Sequence, residues 1–413
     1  MRNIYTGIDI GSDSIKIVVA ELVNEKFYIL ASTAINSSGI NKGLVVDSTM
    51  VTNSLKLALD EIEKTLGVRI NKAIITVPSN ERKISVVEGK IEIDKEKING
   101  DDIVSVLQTA TVDKIDKEHE LVSIVPIIFS LDNEKLTKNP NGEISTTLGV
   151  KALLATAPQK QIYDILKIFS SINVEVVDIT FNCIGDYYEA KTTETDNVLG
   201  AIINVGHEKT DVSVFNKGIL IKNSIINLGS KNIDKDISYV YGTDINSSRE
   251  LKEKFSLCSR RYADINEVLE ISLNEEVKVS INQYDITEIV EARVVELLKL
   301  AKKEINTLTK RKISYIIVTG GITELMGFSY VVENILGINS STLNATTIGI
   351  RNNKFSSAIG IIKYFNSKMR LREKNISFFD DDMIEKMQKN KKSMLELTED
   401  TIVSKIFGYF ANN

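Results

Sequence analysis

The sequence is short of the residues that most often carry chemistry. Only two cysteines, Cys183 and Cys258, and two histidines, His119 and His207, stand in 413 residues. Two distant thiols give no disulfide framework and no metal-ligand spacing, and they suit a reducing cytoplasm. Two distant imidazoles argue against a histidine-based metal centre. There are four prolines and no tryptophan, and neither scarcity indicates a function. No apolar run approaches the ~20 residues needed to cross a bilayer. The opening Ile4-Tyr5-Thr6-Gly7-Ile8 carries no signal-peptide pattern. Positive charge is not in excess either. The net charge is −5, with both signs interspersed, so no basic face is expected for nucleic-acid phosphates, and nucleic acid is excluded as the main partner.

What is present is a motif written twice. Gly7-Ile8-Asp9-Ile10-Gly11-Ser12-Asp13-Ser14-Ile15-Lys16 reads as strand, tight turn, strand. Ile202-Ile203-Asn204-Val205-Gly206-His207-Glu208-Lys209-Thr210-Asp211-Val212 reads the same way. Each has a polar residue (Asp9, Asn204), one apolar residue, a glycine (Gly11, Gly206) and a short polar turn. At 413 residues, 43% of them apolar, the chain is long for one core. The repeated hairpin predicts two related domains, each offering one turn to a shared cleft. The turns are chemically unequal, because Asp9 is a carboxylate and Asn204 an amide.

Residues 4–10, 15–23 and 27–35 read as consecutive strands. Val51, Leu55, Leu59, Ile62 and Leu66 share one face of a helix over 49–66, and 74–77 is a short buried strand ending at Pro78. A β-α-β-β unit follows. Its parts are a strand over 84–93, a helix capped by Gly100-Asp101-Asp102, a strand over 121–131 and a strand over 148–155. Pro126 inside the second strand calls for an edge or a bulge. This unit reads as a small domain inserted into the first. A helix over 159–170 and a strand over 174–179 resume the first domain. Beyond the second hairpin come helices over 249–256 and 286–308, then a buried strand over 313–319 ending in Gly320-Gly321. A helix over 354–365 carries Ala358 and Gly360, which allow close packing. From Ser367 to Asp400 the chain is charge-dense without long-range periodicity, and it reads as a solvated linker.

The paired hairpins suit a nucleotide. Successive backbone N–H groups in a tight turn form an anion-binding concavity, and glycine lets a phosphate approach the backbone. Ser12 and Ser14 add hydroxyls, and Lys16 adds a point charge. Mg²⁺ keeps several waters and takes few protein carboxylates, so Asp9 at a strand end suits it. One such hairpin is an ordinary turn. Two of them, with Gly320-Gly321 at a third place, favour a nucleotide cleft.

With these residues the chain resembles the actin–Hsp70–hexokinase ATPase superfamily. The hairpins match its two phosphate motifs, and Val318-Thr319-Gly320-Gly321-Ile322 looks like its adenosine motif. Residues 178–188 and 354–365 sit where its two connecting helices belong. Within the superfamily the chain is similar to the bacterial cell-division FtsA family along essentially its whole length. That resemblance implies an α/β, two-lobed actin-like ATPase fold with an FtsA-type insertion. Residues 1–83 and 159–192 would form subdomain 1A, and 84–158 the inserted subdomain 1C. Residues 193–228 and 309–366 would form 2A, and 229–308 would form 2B. A flexible charged linker over 367–400 and an amphipathic membrane-targeting helix over 401–413 complete the division.

The resemblance also implies ATP and Mg²⁺ as cofactors. Gly11, Ser12, Asp13, Ser14, Lys16, Asn204, Gly206, His207, Lys252, Gly320 and Gly321 would bind the nucleotide. Asp9 would serve as metal-side and catalytic carboxylate, and Asp178 as a second, water-orienting acid. The segment Glu288–Glu296 is similar to the family's long 2B helix. Contact with the C-terminal peptide of the tubulin-like GTPase FtsZ is thereby implied for that subdomain, with Arg293 and Glu296 matching the helix motif. A second copy in a filament, and other division proteins at the inserted subdomain, are the further partners implied. Several departures stand out. The family usually has aspartate where this chain has Asn204, and His207-Glu208-Lys209 replaces a glycine-rich turn. Arg249-Glu250-Leu251-Lys252 moves an acid by one position, and the first connecting segment lacks the usual proline. An amide cannot act as a base and holds a metal-bound water less well than a carboxylate. At most slow ATP hydrolysis is expected, since phosphoryl transfer depends on positioning and electrostatics.

The last apolar stretch has a clear pattern. At ~100° per residue, Ile402, Val403, Ile406, Phe407, Tyr409 and Phe410 fall on one face, opposite Ser404, Lys405 and Gly408. Such a helix is suited either to a bilayer interface or to docking on the core as a terminal helix, and the charged linker before it favours the interface. With Lys405 its only base, apolar burial must dominate over attraction to anionic lipid. One short anchor binds reversibly, and a polymer would present many. The expectation is an ATP-binding filament on the cytoplasmic face of the cell membrane, at the division septum, tethering an FtsZ ring. Other jobs on the same fold are a pilus-assembly adaptor, a small-molecule kinase and an Hsp70-type chaperone. The adaptor needs no such tail, the kinase needs a catalytic aspartate beside a substrate pocket, and the chaperone needs a substrate-binding domain.

Overall fold

A computed structural model describes residues 2–399 apart from 79, 95–96, 133, 273–277, 346 and 350–351, with side chains described as far as residue 390. The amphipathic segment 401–413, and with it Ile402, Val403, Ile406, Phe407, Tyr409 and Phe410, lies outside the described residues.

The first lobe begins with the meander β1 (Asn3–Ile10), β2 (Ser14–Val23) and β3 (Lys26–Asn36). A small hairpin, β4 (Ile40–Asn41) and β5 (Leu44–Val45), leads to α1 (Ser48–Leu66) and β6 (Lys72–Val77). The side chain of Asp47 caps α1 by accepting from the Met50 N–H, and Gly67 ends it at φ 75°. The insertion holds β7 (Lys83–Glu92), α2 (Gly100–Thr111), β8 (His119–Leu131), β9 (Leu136–Thr137) and β10 (Thr147–Pro158). The lobe resumes with α3 (Gln159–Ser171), β11 (Glu175–Phe181) and α4 (Asn182–Ala190).

The second lobe repeats the plan. It runs through β12 (Leu199–Val205), β13 (Thr210–Asn216), β14 (Ile219–Ile226), α5 (Lys231–Tyr241) and α6 (Ile245–Lys254). Next come β15 (Val268–Ser272), β16 (Lys278–Asn282), α7 (Gln283–Leu308) and β17 (Tyr315–Thr319). It closes with α8 (Phe328–Leu336) and β18 (Ser340–Thr342), after which α9 (Ser356–Leu371) and α10 (Asp381–Glu399) return the chain to the first lobe. The sheets are ordered β11-β6-β1-β2-β3 and β14-β13-β12-β17-β18. Read from the meander edge, the two orders coincide. Asp9 faces Lys16 across the first hairpin, and Asn204 faces Asp211 across the second. The repeat read from the hairpins therefore extends to whole sheets.

The inserted unit has the sheet order β7-β10-β8-β9. Its strand register slips beside Pro126, where Ala152 pairs with Pro126 and Lys151 with Ile128. A proline cannot donate to the ladder, so the bulge falls where expected. The helix α2 starts from a capping box in which Asn99 accepts from the Asp102 N–H while Asp102 accepts from the Asn99 N–H.

Two expectations about the connections are corrected. The first connecting helix starts at Asn182, because β11 continues through Phe181, so Asp178 lies on a strand. The segment read as a flexible linker from Ser367 is built into the first lobe over its described part. The helix α9 runs to Leu371, and Phe378, Phe379, Ile384 and Met387 are buried against the first core. The Phe378 N–H donates to the Ile4 carbonyl at 2.9 Å, and its ring meets Tyr5 edge-on at 5.5 Å. Burial of these four side chains outweighs the charged residues around them.

The connecting helices α4 and α9 cross at two glycines. A Cβ on Gly360 would lie 1.7 Å from the Gly185 carbonyl oxygen, and one on Gly185 would lie 2.5 Å from that of Ser357. Backbone meets backbone here, at the root of the cleft.

Candidate functional site

The two hairpin turns close alike. The Gly11 N–H donates to the Ser14 carbonyl at 3.1 Å, and the Gly206 N–H to that of Lys209 at 3.0 Å. Both turns line one cavity of about 420 Å³ between the lobes. Gly320 and Gly321 line it as well, at the end of β17. Gly320 has φ 107°, a conformation that side chains disfavour, and its Cβ would lie 2.3 Å from the Val205 carbonyl oxygen. The three glycine segments singled out in the sequence thus meet at one cavity, whose size is ordinary for a small-molecule site.

Asp9 is buried on the cavity wall. One carboxylate oxygen accepts from the Thr76 hydroxyl at 2.9 Å and the other lies 3.4 Å from the Lys16 ammonium. At the matching place, Asn204 Nδ2 donates to Asp186 Oδ2 at 2.6 Å. Side-chain contacts bridge the lobes at the mouth, among them that of Lys209 to Asn80 Oδ1 at 3.0 Å. Arg249 of α6 donates to both carboxylate oxygens of Asp13, at 2.5 and 2.9 Å. Glu208 of the second turn accepts from the Lys42 N–H at 2.6 Å and from Lys231 at 2.7 Å. Ser12 Oγ accepts from the Gly43 N–H at 2.9 Å, which fixes the β4–β5 hairpin over the first turn.

Charge in the cleft is adjusted by burial and by these partners. Burial alone would raise the Asp13 carboxyl, but Arg249 and His207 overcome it and hold Asp13 below the usual carboxylate range. Burial pushes the His207 imidazole below its ordinary value although Asp13 is only 3.7 Å away. Burial also lowers the Lys209 ammonium. Lys252 lies 2.7 Å from Asp234 with both side chains buried, and burial still raises the Asp234 carboxyl.

Gly11, Ser12, Asp13, Ser14, Lys16, Asn204, Gly206, His207, Lys252, Gly320 and Gly321 therefore share one cavity with Asp9. Asp178 does not line it. Its carboxylate is paired with Lys368 of α9 at 2.6 Å, and the cavity is lined instead by Asn182, four residues further on at the start of α4. Arg293 and Glu296 lie on α7, away from the cleft. Arg293 clamps Asp236 of α5 at 2.7 and 2.9 Å and reaches Glu296 at 2.5 Å. Sequence reasoning also missed Thr76, Lys209, Arg249 and Lys354, all of which line the cavity. No periodic signal marks them, because each arrives from a separate element.

A family model described as cell division protein FtsA matches residues 201–360. A second, described as the SHS2 domain inserted in FtsA, matches residues 80–156, which is the insertion between β6 and α3. The chain belongs to the FtsA family. Relatives named cell division protein FtsA bear this out. That of Bacillus subtilis (strain 168) is 25% identical over 381 residues, covering 91% of this chain and 87% of the relative. That of Enterococcus hirae is 26% identical over 365 residues, covering 87% and 82%. This FtsA-family chain is accordingly an actin-like cell-division protein. Solved structures share its fold. A chain of a PilM–PilN type IV pilus biogenesis complex aligns with TM-score 0.58 at 14% identity, covering 89% of this chain and 98% of that one. MreB5 of Spiroplasma citri bound to AMPPNP aligns with TM-score 0.56 at 11% identity, covering 90% and 98%.

Proposed function

We propose that the chain binds ATP with Mg²⁺ between its lobes, and that it assembles on the cytoplasmic face of the cell membrane at the septum to tether the FtsZ ring. The observation that carries the nucleotide reading is the pair of identically closed glycine turns facing one cavity with Gly320 at its third side. Supporting it, solved structures of MreB5 with the same fold are described as bound to ADP and to AMPPNP.

The residues fit such a ligand. Both turns would turn backbone N–H groups to phosphate oxygens. Lys16 would add charge, and Ser12 and Ser14 hydroxyls. Asp13 would contribute its backbone, since its carboxylate is taken by Arg249. Gly320 and Gly321 would let the nucleoside approach, while Lys252 stays tied to Asp234. Among the described residues no group of three or more acidic, histidine or cysteine side chains could hold a metal by itself. A single carboxylate beside a phosphate site is the arrangement Mg²⁺ accepts. Asp9 would hold the ion through water, and the ion would neutralise phosphate charge. With an amide at 204 and Asp178 outside the cavity, the site suits binding and assembly control better than rapid turnover.

Among the described residues no helix is long and apolar enough to cross a membrane. Attachment is therefore assigned to the amphipathic segment 401–413. The α5–α7 face around Arg293 and Glu296 would receive the FtsZ peptide, and the inserted unit other division proteins. Co-pelleting with liposomes tests the attachment. The intact chain is expected to pellet and a chain ending at residue 400 to stay in solution, and equal pelleting would sink it. Co-pelleting of FtsZ with the liposome-bound chain tests the tether.

A further inference from the structure

Asp9 and Asn204 occupy the same place in two sheets of the same order, yet only Asp9 carries a charge. The second hairpin is not without a carboxylate nearby. Asp186 of α4 lies directly behind Asn204, fully buried and outside the cavity lining. Every described contact to its two oxygens is a donor. Oδ1 accepts from the Ser356 hydroxyl at 2.6 Å and the Ser357 hydroxyl at 2.8 Å, both at the start of α9. Oδ2 accepts from Asn204 Nδ2 at 2.6 Å. Asp186 therefore joins α4, β12 and α9 where the two lobes hinge.

We propose that Asp186 is a positioning residue for the nucleotide cleft: it holds the Asn204 amide with its NH₂ inward, so that Oδ1 stays an acceptor on the cleft side. This rests on the nucleotide reading above. The chemistry follows from the donor inventory. A carboxylate at 204 would be an acceptor in either orientation, whereas an amide is an acceptor on one side only. A buried carboxylate behind it selects that side. Asn204 Oδ1 indeed lies on the Gly320 side, 3.1 Å from where a Cβ of that glycine would stand. The acceptor is thus kept for a metal-bound water or a ribose hydroxyl. The Ser356 and Ser357 contacts tie the orientation of the amide to the hinge helix α9.

The test exchanges the two functional groups. In Asp186→Asn, Oδ1 can still accept from the serines, but the new NH₂ faces Asn204 and turns its amide over. In the double variant Asp186→Asn with Asn204→Asp, a donor and a carboxylate face each other again in reversed order. Calorimetric titration of the intact chain with AMPPNP at pH 8, in Mg²⁺ and in EDTA, reads the Mg²⁺-dependent part of the affinity with Asp186 ionised. That part is expected to fall about tenfold in Asp186→Asn and to recover to within about threefold of wild type in the double variant. Asn204→Asp alone sets two carboxylates against each other and is expected to melt at lower temperature. A purely structural role for Asp186 would lower melting without changing the ratio of affinities in Mg²⁺ and EDTA. Ser357→Ala is a second variant, which removes one donor from Asp186 and leaves Asn204 intact. It is expected to shift the ratio in the same direction. An unchanged ratio in Asp186→Asn, or no recovery in the double variant, overturns this inference alone. No AMPPNP binding by wild type overturns the nucleotide reading and this inference with it.

Discussion

The crossing of α4 and α9 sets the spacing of the lobes, and Gly360→Ala tests how tightly it is set. The added methyl would lie 1.7 Å from the Gly185 carbonyl oxygen, 2.4 Å from its carbon and 2.8 Å from the Gly185 Cα. All three atoms are backbone, so no rotamer change relieves the contact. The helices must part by more than about 1 Å to restore a carbon–oxygen distance near van der Waals contact. Overpacking of this kind costs about 1–3 kcal/mol, and the rigid neighbours place this site at the upper end. Alanine's better helix propensity returns about 1 kcal/mol. The net expectation is about 2 kcal/mol lost, with a larger effect on nucleotide affinity, because Ser356 and Ser357 stand one turn before Gly360 and hold Asp186. Thermal melting with and without AMPPNP is the assay. Gly321→Ala is the control for melting, since its Cβ would meet only Lys354 Cβ at 3.7 Å. A Gly360→Ala chain that melts like wild type would mean that the α4–α9 crossing has room for a methyl group.

Three further expectations follow from particular contacts. Phe378→Ala removes a buried ring packed edge-on against Tyr5 and tilted against Phe365, and is expected to cost about 3 kcal/mol in denaturant unfolding; a loss below 1 kcal/mol would mean that the strap after α9 does not belong to the core. Arg249→Ala removes the cross-cleft pair with Asp13, whose side chains are 31% and 21% exposed. Its stability cost is expected to be at most about 1 kcal/mol, but release of a fluorescent nucleotide should quicken at low salt and match wild type near 1 M salt. A rate ratio indifferent to salt would contradict an ionic latch. Burial, against Ser356, Asn204 and Ser357, pushes the Asp186 carboxyl up to about 7, with the Asp9 charge adding to it. A raised acid stabilises the folded chain fully below its unfolded value, near 3.8, and that contribution is lost as pH rises through about 7. The stability of wild type relative to Asp186→Asn is therefore expected to fall between about pH 4 and pH 7 and to level off above it, and a flat difference in urea unfolding across that window would contradict the assignment.

The cleft was legible in the sequence because its glycines are local signals. Gly11, Gly206 and Gly320 each follow an apolar strand, and a strand-ending glycine turn is readable from a few neighbouring residues. The insertion was legible for a similar reason, since Pro126 and the Gly100-Asp101-Asp102 start are local signals of a strand and a helix inside it. Asp178 was misplaced because strand and helix run together at Phe181 without a proline or glycine between them. A four-residue error there moves a side chain from the cavity to the flank of α9, where Lys368 takes it. Asp186 gave a signal that was not used: it is an acid on a helix whose neighbours Cys183, Ile184 and Tyr187 are all buried. The strap was hidden by composition. Phe378, Phe379, Ile384 and Met387 are few among many charges, and only the first-lobe core reveals what they pack against.

The interlobe cavity, lined by both hairpins, is proposed as a nucleotide site. Calorimetric titration of the intact chain with AMPPNP and Mg²⁺, beside Asp9→Ala, tests it most directly. Saturable one-to-one binding is expected of wild type, weakened about tenfold or more in Asp9→Ala once the carboxylate at the end of β1 is gone. Absence of binding by wild type, or equal binding by the two chains, would contradict it.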